Sequence, residues 1–299
     1  MSYDEAFKSV IISNEAKLTL CKNHLQINQA DNIAKLYLKD LSFIILESPQ
    51  ITITSALLSA LAKFKITLLT CDESHLPNGI FMPFLTHFQA SLTLKEQCKI
   101  KAKHKAILWQ KIIQNKITNQ ANVLQNAGFK KQSQTLLDWA KNVALNDGTF
   151  MESKAAALYF KTLFGKNFSR DDLCFENSAL NYGYAIVRVA IVRAVCISGL
   201  CPALGIKHDN AYNGFNLCDD IIEVFRAFVD MKVLLLKKEA NSGDFLDKTH
   251  KIALIENLQS AVFFENKNIA LIRAINHFVA NFKNALLNGE KLNYVSFKE

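Results

Sequence analysis

The chain reads as a multi-domain α+β protein, with a small N-terminal β-rich, sandwich-like domain followed by a larger all-helical one. Three observations predict this. From residue 7 to about 53, apolar residues alternate with period two or gather in short β-branched runs. Beyond about residue 90 they recur at helical spacing. Between the two regions stand the breakers Pro77, Asn78, Gly79 and Pro83. The expected division is therefore 1–80, a linker over 81–92, and 93–299. A chain of 299 residues that is 50% hydrophobic has enough apolar material for two cores.

Each element follows from its local pattern. "SVII" (9–12), "KLTLCK" (17–22), "HLQI" (24–27), "KLYL" (35–38), "SFIIL" (42–46) and "ITIT" (51–54) are alternating or β-branched, and read as strands. "SALLSALAKF" (55–64) reads as a short helix, with the Thr54 hydroxyl as its N-cap, and "KITLLTC" (65–71) as a further strand. Helical spacing then predicts helices over 92–117, 132–146, 151–164, 178–199, 216–238, 246–263 and 267–287. Pro202 interrupts them in the turn "GLCPALG". The terminal "NYVSFKE" (293–299) reads as a frayed end, with a docking segment as the alternative.

Charge and cysteine usage narrow the function classes. Lys plus Arg number 35 against 27 Asp plus Glu, a formal charge of +8 that favours polyanionic partners. "KEQCKIKAKHK" (95–105) sets Lys95, Lys99, Lys101, Lys103 and Lys105 against Glu96 alone, as either a solvated helix face or a phosphate-contacting surface. Seven scattered cysteines without a CxxC pair read as buried, reduced thiols rather than a disulfide framework or a zinc site. The start, "MSYDEAFKSV", has no apolar h-region, so a cytoplasmic location is expected. "YGYAIVRVAIVRAVCISGLCPALG" (182–205) contains Arg188 and Arg193, which argue for a buried helix and against a membrane span.

Three places carry acids or histidine that the pattern alone does not require. Glu152 opens a predicted helix in "FMESKAAALYF" (150–160), where an acid also simply complements the helix dipole. His208 follows the Pro- and Gly-containing turn in "GIKHDN" (205–210). In "CDDIIEVFR" (218–226), Asp220 and Glu223 stand one helical turn apart and could converge on one cation. On that segment alone, Asp219, Glu223, Arg226 and Asp230 form the solvated face of an amphipathic helix. Glu152, His208 and Glu223 together would offer two carboxylates and an imidazole, a set suited to Mg2+ or Mn2+ with open positions. Spacing along the chain does not itself bring the three together.

Three motifs carry a resemblance that covers most of the chain. They are "ESKAAALYF" (152–160), "LNYGYAIVRVAIVRAVCISGLCPALGIKH" (180–208) and "NLCDDIIEVFRAFVD" (216–230). They resemble the signatures of the CRISPR-associated protein one family, most closely its type II branch. Val224 and Ala227 stand where that family often has proline, and Ser153 where it usually has glycine. The resemblance implies that Glu152, His208 and Glu223 are catalytic metal ligands, with Asp220 a further ligand or a carboxylate that orients them. It implies a DNA integrase that joins prespacer 3′-hydroxyl ends to a CRISPR repeat by transesterification. It implies a homodimer, a heterohexamer with CRISPR-associated protein two around a DNA duplex, and contact with the type II effector nuclease. Lys99, Lys101, Lys103, Lys105, Arg170 and Arg188 are the candidate DNA contacts. Alternatives are a structure-selective, metal-dependent nuclease using the same residues and a DNA-binding scaffold without catalysis.

Overall fold

The structure, a computed structural model, describes residues 8–30, 32–73, 77–83, 87–239 and 245–297. The expectation about a leader at residues 1–7, the end of the terminal segment at 298–299 and residues 84–86 of the expected linker lie outside them. The chain divides into two compact units, Met1–Phe88 and Gln89–Glu299.

The first unit holds strands β1 (Lys8–Ile12), β2 (Ala16–Cys21), β3 (His24–Gln29), β4 (Asn32–Tyr37), β5 (Leu41–Leu46), β6 (Ile51–Ile53), β7 (Thr67–Cys71) and β8 (Pro77–Phe81), with helix α1 (Ser55–Phe64) between β6 and β7. They form two four-stranded sheets, in the orders β1-β5-β7-β8 and β4-β3-β2-β6. The β2–β3 hairpin turns on Lys22 and Asn23, both at positive φ, the conformation a two-residue hairpin loop requires. In β5, buried along its whole length between parallel β1 and β7, alternation is replaced by a continuous apolar run. The Thr54 hydroxyl accepts the Leu57 N–H and caps α1, as its position predicts. Leu18, Leu25, Ile44, Leu57, Leu61 and Leu68 join both sheets and the helix in one core. The segment of breakers proves to be a strand: β8 pairs antiparallel with β7, and Pro77, with no N–H to donate, sits at the strand's first position on the sheet edge.

The second unit holds α2 (Ala90–Cys98), α3 (Ala102–Asn126), α4 (Lys130–Lys141), α5 (Met151–Phe164), α6 (Phe175–Ile197), α7 (Asn216–Ile222), α8 (Arg226–Glu239), α9 (Lys248–Glu256) and α10 (Leu271–Asn288). It is not all-helical. Strands β9 (Ala261–Phe264), β10 (Lys267–Ala270) and β11 (Ser296–Phe297) form an antiparallel sheet, taking the ends of two expected helices. Glu265 and Asn266, both at positive φ, make the β9–β10 turn. The terminal segment is therefore docked: Val295 is buried and exchanges hydrogen bonds with the Asn115 side chain in both directions, and the Phe297 ring lies 4.4 Å from that of Phe228.

Two further expected helices are broken. The 92–117 segment divides at Lys99–Lys101, between α2 and α3, and the 216–238 segment divides at Glu223–Phe225, between α7 and α8. At the second break the buried Asn119 amide donates to the Val224 carbonyl at 3.2 Å and to that of Val295 at 3.0 Å. A carbonyl engaged by a side chain in this way need not be satisfied along the helix. Helix α6 packs against α7, α8, α9 and α10. It is long and apolar enough to cross a membrane by length and composition, but 67% of its most apolar window is buried inside the fold. All seven cysteines are free, but only Cys218 is buried; Cys98 is exposed and the rest are half-buried.

Candidate metal and nucleic-acid site

Glu152 is positioned by the start of α5. The Asp147 carboxylate accepts the N–H groups of Met151 at 2.8 Å and Glu152 at 3.1 Å, supplying the cap that Phe150 cannot. Glu223 is the residue at which α7 ends, and only 5% of it is exposed. The two glutamates meet at one cation, the ammonium of Lys116 from the middle of α3. Its Nζ is 2.6 Å from Glu152 Oε1 and 2.5 Å from Glu223 Oε2. The second contact is an ion pair without hydrogen-bond alignment, and Glu223 Oε2 is otherwise buried without a donor. Arg226 Nε donates to Glu223 Oε1 at 2.8 Å.

The electrostatics follow. Burial opposes ionisation of Glu223, but the charges of Lys116 and Arg226 overcome it and hold the carboxyl at about 2. Burial likewise works against the Lys116 ammonium, and Glu223 and Glu152 together keep its pKa above the usual lysine value. The acidic face of the 218–230 segment is thus not solvated: Asp220, Glu223 and Asp230 are all buried.

His208 is fixed from a different direction. Asp220, fully buried in α7, accepts the backbone N–H groups of Ile206, Lys207 and His208 and the Nδ1 of the His208 ring at 2.8 Å. The turn is tight enough that a Cβ on Gly205 would stand 2.2 Å from the His208 carbonyl oxygen. The hydrogen bond to Asp220 raises the His208 pKa against partial burial, helped by the charges of Glu223 and Asp219. Asp220 and Glu223 therefore do not converge: every recorded contact of Asp220 goes to the 206–208 turn. Among the described residues, no group of three His, Cys, Asp or Glu side chains is close enough to share a metal ion. The structure brings Glu152 and Glu223 to one cation and leaves His208 outside that contact.

Beside the ammonium lies a hollow of about 210 Å³, lined by Lys116, Gln120, Phe160, Arg170, Tyr184, Glu223, Arg226 and Asp230. Arg170, a candidate DNA contact, hydrogen-bonds Asn177 and Asn181 and lies over the Phe160 and Tyr184 rings. Arg226 lies 4.6 Å from the Tyr184 centroid. At the hollow's base, Asp230 accepts the hydroxyls of Tyr159 and Tyr184. The other candidates separate. Arg188 is engaged by Asp219 through two hydrogen bonds, Lys105 donates to the Gly205 carbonyl, and Lys99 pairs with Glu96. Lys101 and Lys103 are exposed. Sequence reasoning missed Lys116, although a signal existed: in "WQKIIQNKITNQANVL" (109–124) the polar residues Lys116, Asn119 and Gln120 share a face with Ile112 and Ile113.

Fold and site together define a two-unit α+β protein whose helical unit brings two carboxylates, one buried and one half-buried, onto one cation. Within that class, a family model described as "CRISPR associated protein Cas1" matches residues 9–265. The "CRISPR-associated endonuclease Cas1" of Neisseria meningitidis serogroup C (strain 8013) is 38% identical over 277 residues, 93% of this chain and 91% of that relative. The chain belongs to the CRISPR associated protein Cas1 family. Its fold is similar to that of a casposase bound to integration product, with a TM-score of 0.77 at 18% identity over 95% of this chain and 92% of that one. It is also similar to part of a chain in a Cas6-RT-Cas1–Cas2 complex, with a TM-score of 0.70 at 18% identity over 96% of this chain and 35% of that one.

Proposed function

We propose that this protein is a divalent-metal-dependent DNA integrase and endonuclease of CRISPR adaptation, joining prespacer 3′-hydroxyl ends to a CRISPR repeat. The observation that carries this reading is the convergence of Glu152 and Glu223, from separate helices, on one cationic position beside the hollow that Arg170 and Arg226 line. Glu152, Glu223 and His208 would hold Mg2+ or Mn2+. The chemistry of the donors suits such an ion: two carboxylates that meet at one cationic position, with a Glu223 oxygen buried without an aligned donor, and an imidazole that stands apart from that pair and would have to approach it. When bound, such an ion polarises a phosphate oxygen and lowers the pKa of an attacking hydroxyl.

The chain's own residues then position and neutralise. Asp220 holds His208 Nδ1, so Nε2 is the nitrogen left for a ligand. Arg170 and Arg226 offset the charge of a phosphodiester entering the hollow, preorganised by their aromatic and amide partners. Transesterification exchanges one phosphodiester for another and requires no nucleotide cofactor. Lys101 and Lys103, exposed, suit phosphate contacts further along the duplex.

The same reading makes the protein a cytoplasmic homodimer of the type II branch, assembled with CRISPR-associated protein two into a heterohexamer and working beside the effector nuclease. Among its structural neighbours, a Cas1–Cas2 complex supports assembly with that partner, and a casposase bound to integration product supports strand joining. The test is incubation of the protein and its partner with a labelled short duplex and a repeat-bearing plasmid, with Mn2+ or with chelator. Label joined to plasmid only with metal, and lost in Glu223→Ala while DNA binding persists, is expected; full joining by Glu223→Ala refutes the site. A second reading, favoured by the "endonuclease" of the relative's name, is hydrolysis of branched or single-stranded DNA with water as nucleophile. It gives shortened strands and no joined ones.

A further inference from the structure

Lys116 stands where a cation bridging the two glutamates belongs. Its ammonium touches both carboxylates and reaches them from mid-α3 with only 7% of the residue exposed. We propose that Lys116 is the resident counter-cation of this pair, holding Glu152 and Glu223 together before a divalent ion arrives and competing with that ion for the same oxygens. The inference rests on the metal reading above and adds a residue that sets how tightly metal is held.

Several observations converge on this role. Two carboxylates brought together in a partly dry site repel, and one cation between them removes that repulsion. Arg226 satisfies Glu223 Oε1 and lies on the same segment as its partner. Lys116 is the contact that ties the α7–α8 break to α5. Its backbone is held in place by flanking side chains, because Asn115 bonds both backbone groups of Val295 and Asn119 bonds the carbonyl of Val224. A divalent ion on the same carboxylates would face the ammonium at contact distance, so the lysine must withdraw. The adjoining hollow, which Lys116 itself lines, offers its stem the room.

The test compares the full-length wild-type chain with Lys116→Met and Lys116→Gln. Mn2+ binding is measured by calorimetry, and thermal melts are recorded in chelator and in millimolar Mn2+. Both variants are expected to melt lower than wild type in chelator, to recover with Mn2+, and to bind Mn2+ tighter by on the order of tenfold, because a positive charge has left the site. Lys116→Gln keeps a polar donor at the buried position should Lys116→Met fail to fold. In the wild-type chain, reductive methylation of Lys116, read by peptide mass spectrometry, is expected to be slow in chelator and faster with Mn2+. Equal or weaker Mn2+ affinity in the variants, with melting in chelator unchanged, overturns the role of Lys116 alone. Mn2+ binding by none of the three chains overturns the metal assignment itself, and this inference with it.

Discussion

Asp230 offers a quantitative test of how the helical unit tolerates a buried acid. It is fully buried, and burial raises its carboxyl from 3.8 to about 6 against the pull of the hydroxyls of Tyr184 and Tyr159 and the charges of Arg226 and Arg170. The folded chain therefore keeps this proton to higher pH than the unfolded chain does. Stability contributed by Asp230 is present in full below about pH 4, is lost as pH rises to about 6, and is flat above that. A difference of that size corresponds to about 3 kcal/mol. Asp230→Asn removes the titration while keeping the shape, and the tyrosine hydroxyls can reorient to accept from the amide. Urea denaturation of both proteins at intervals from pH 4 to 7.5 isolates the effect, because every other titration is shared. The wild-type minus variant stability is expected to fall by roughly 2.5 kcal/mol across that range. Parallel curves would refute the assignment of a raised pKa to this carboxyl.

Three further outcomes are expected. Asn119→Ala removes the side-chain donor to the buried Val224 carbonyl, while Val295 keeps Asn115, and should destabilise by roughly 1–3 kcal/mol, seen as a lower urea midpoint at unchanged slope. Gly205→Ala places a Cβ 2.2 Å from the His208 carbonyl oxygen and 2.9 Å from Asp220 Oδ2, so strand joining should fall more than about tenfold as His208 shifts, for about 1–3 kcal/mol of stability. Replacing both Lys101 and Lys103 by Ala should flatten the log–log salt dependence of DNA affinity by about 2, measured by fluorescence anisotropy at several salt concentrations.

What was legible in the sequence was what local pattern encodes. The β2–β3 pair, the fully apolar β5 and the Thr54 cap each have a signature within a few residues. The β9–β10 hairpin was missed because its strands have four residues each and their apolar positions merge with the helical spacing of α10. The two-residue turn at Glu265–Asn266 was the one local clue. The α7–α8 break has no local cause in an uninterrupted apolar stripe; it depends on Asn119, more than a hundred positions earlier. Glu152, His208 and Glu223 stand out in the sequence only by residue type and motif, and the structure brings the two glutamates to one cation and leaves His208 apart. That Asp220 serves the 206–208 turn, and that Lys116 fills the space between the glutamates, are long-range facts that no spacing expresses.

Residues 220–230 bury three acids within one short stretch, and each is neutralised differently. Asp220 is surrounded by three backbone N–H groups and an imidazole nitrogen, all from a turn that would lose its shape without it. Asp230 is held by two tyrosine hydroxyls and reaches ionisation only near neutral pH. Glu223 alone is neutralised by cationic side chains, Lys116 and Arg226, and is kept ionised well below neutral pH. A carboxylate fixed by backbone donors is a structural anchor, and one whose two oxygens each accept a tyrosine hydroxyl is already satisfied. Glu223 is charged, partnered by side chains rather than by backbone, and placed at a helix break beside the hollow. Of the three, it is the acid whose charge another cation can claim without dismantling the fold. That difference in how the charge is balanced, more than the presence of acids, is what distinguishes Glu223 from its two neighbours and makes it the carboxylate on which the proposed function is tested.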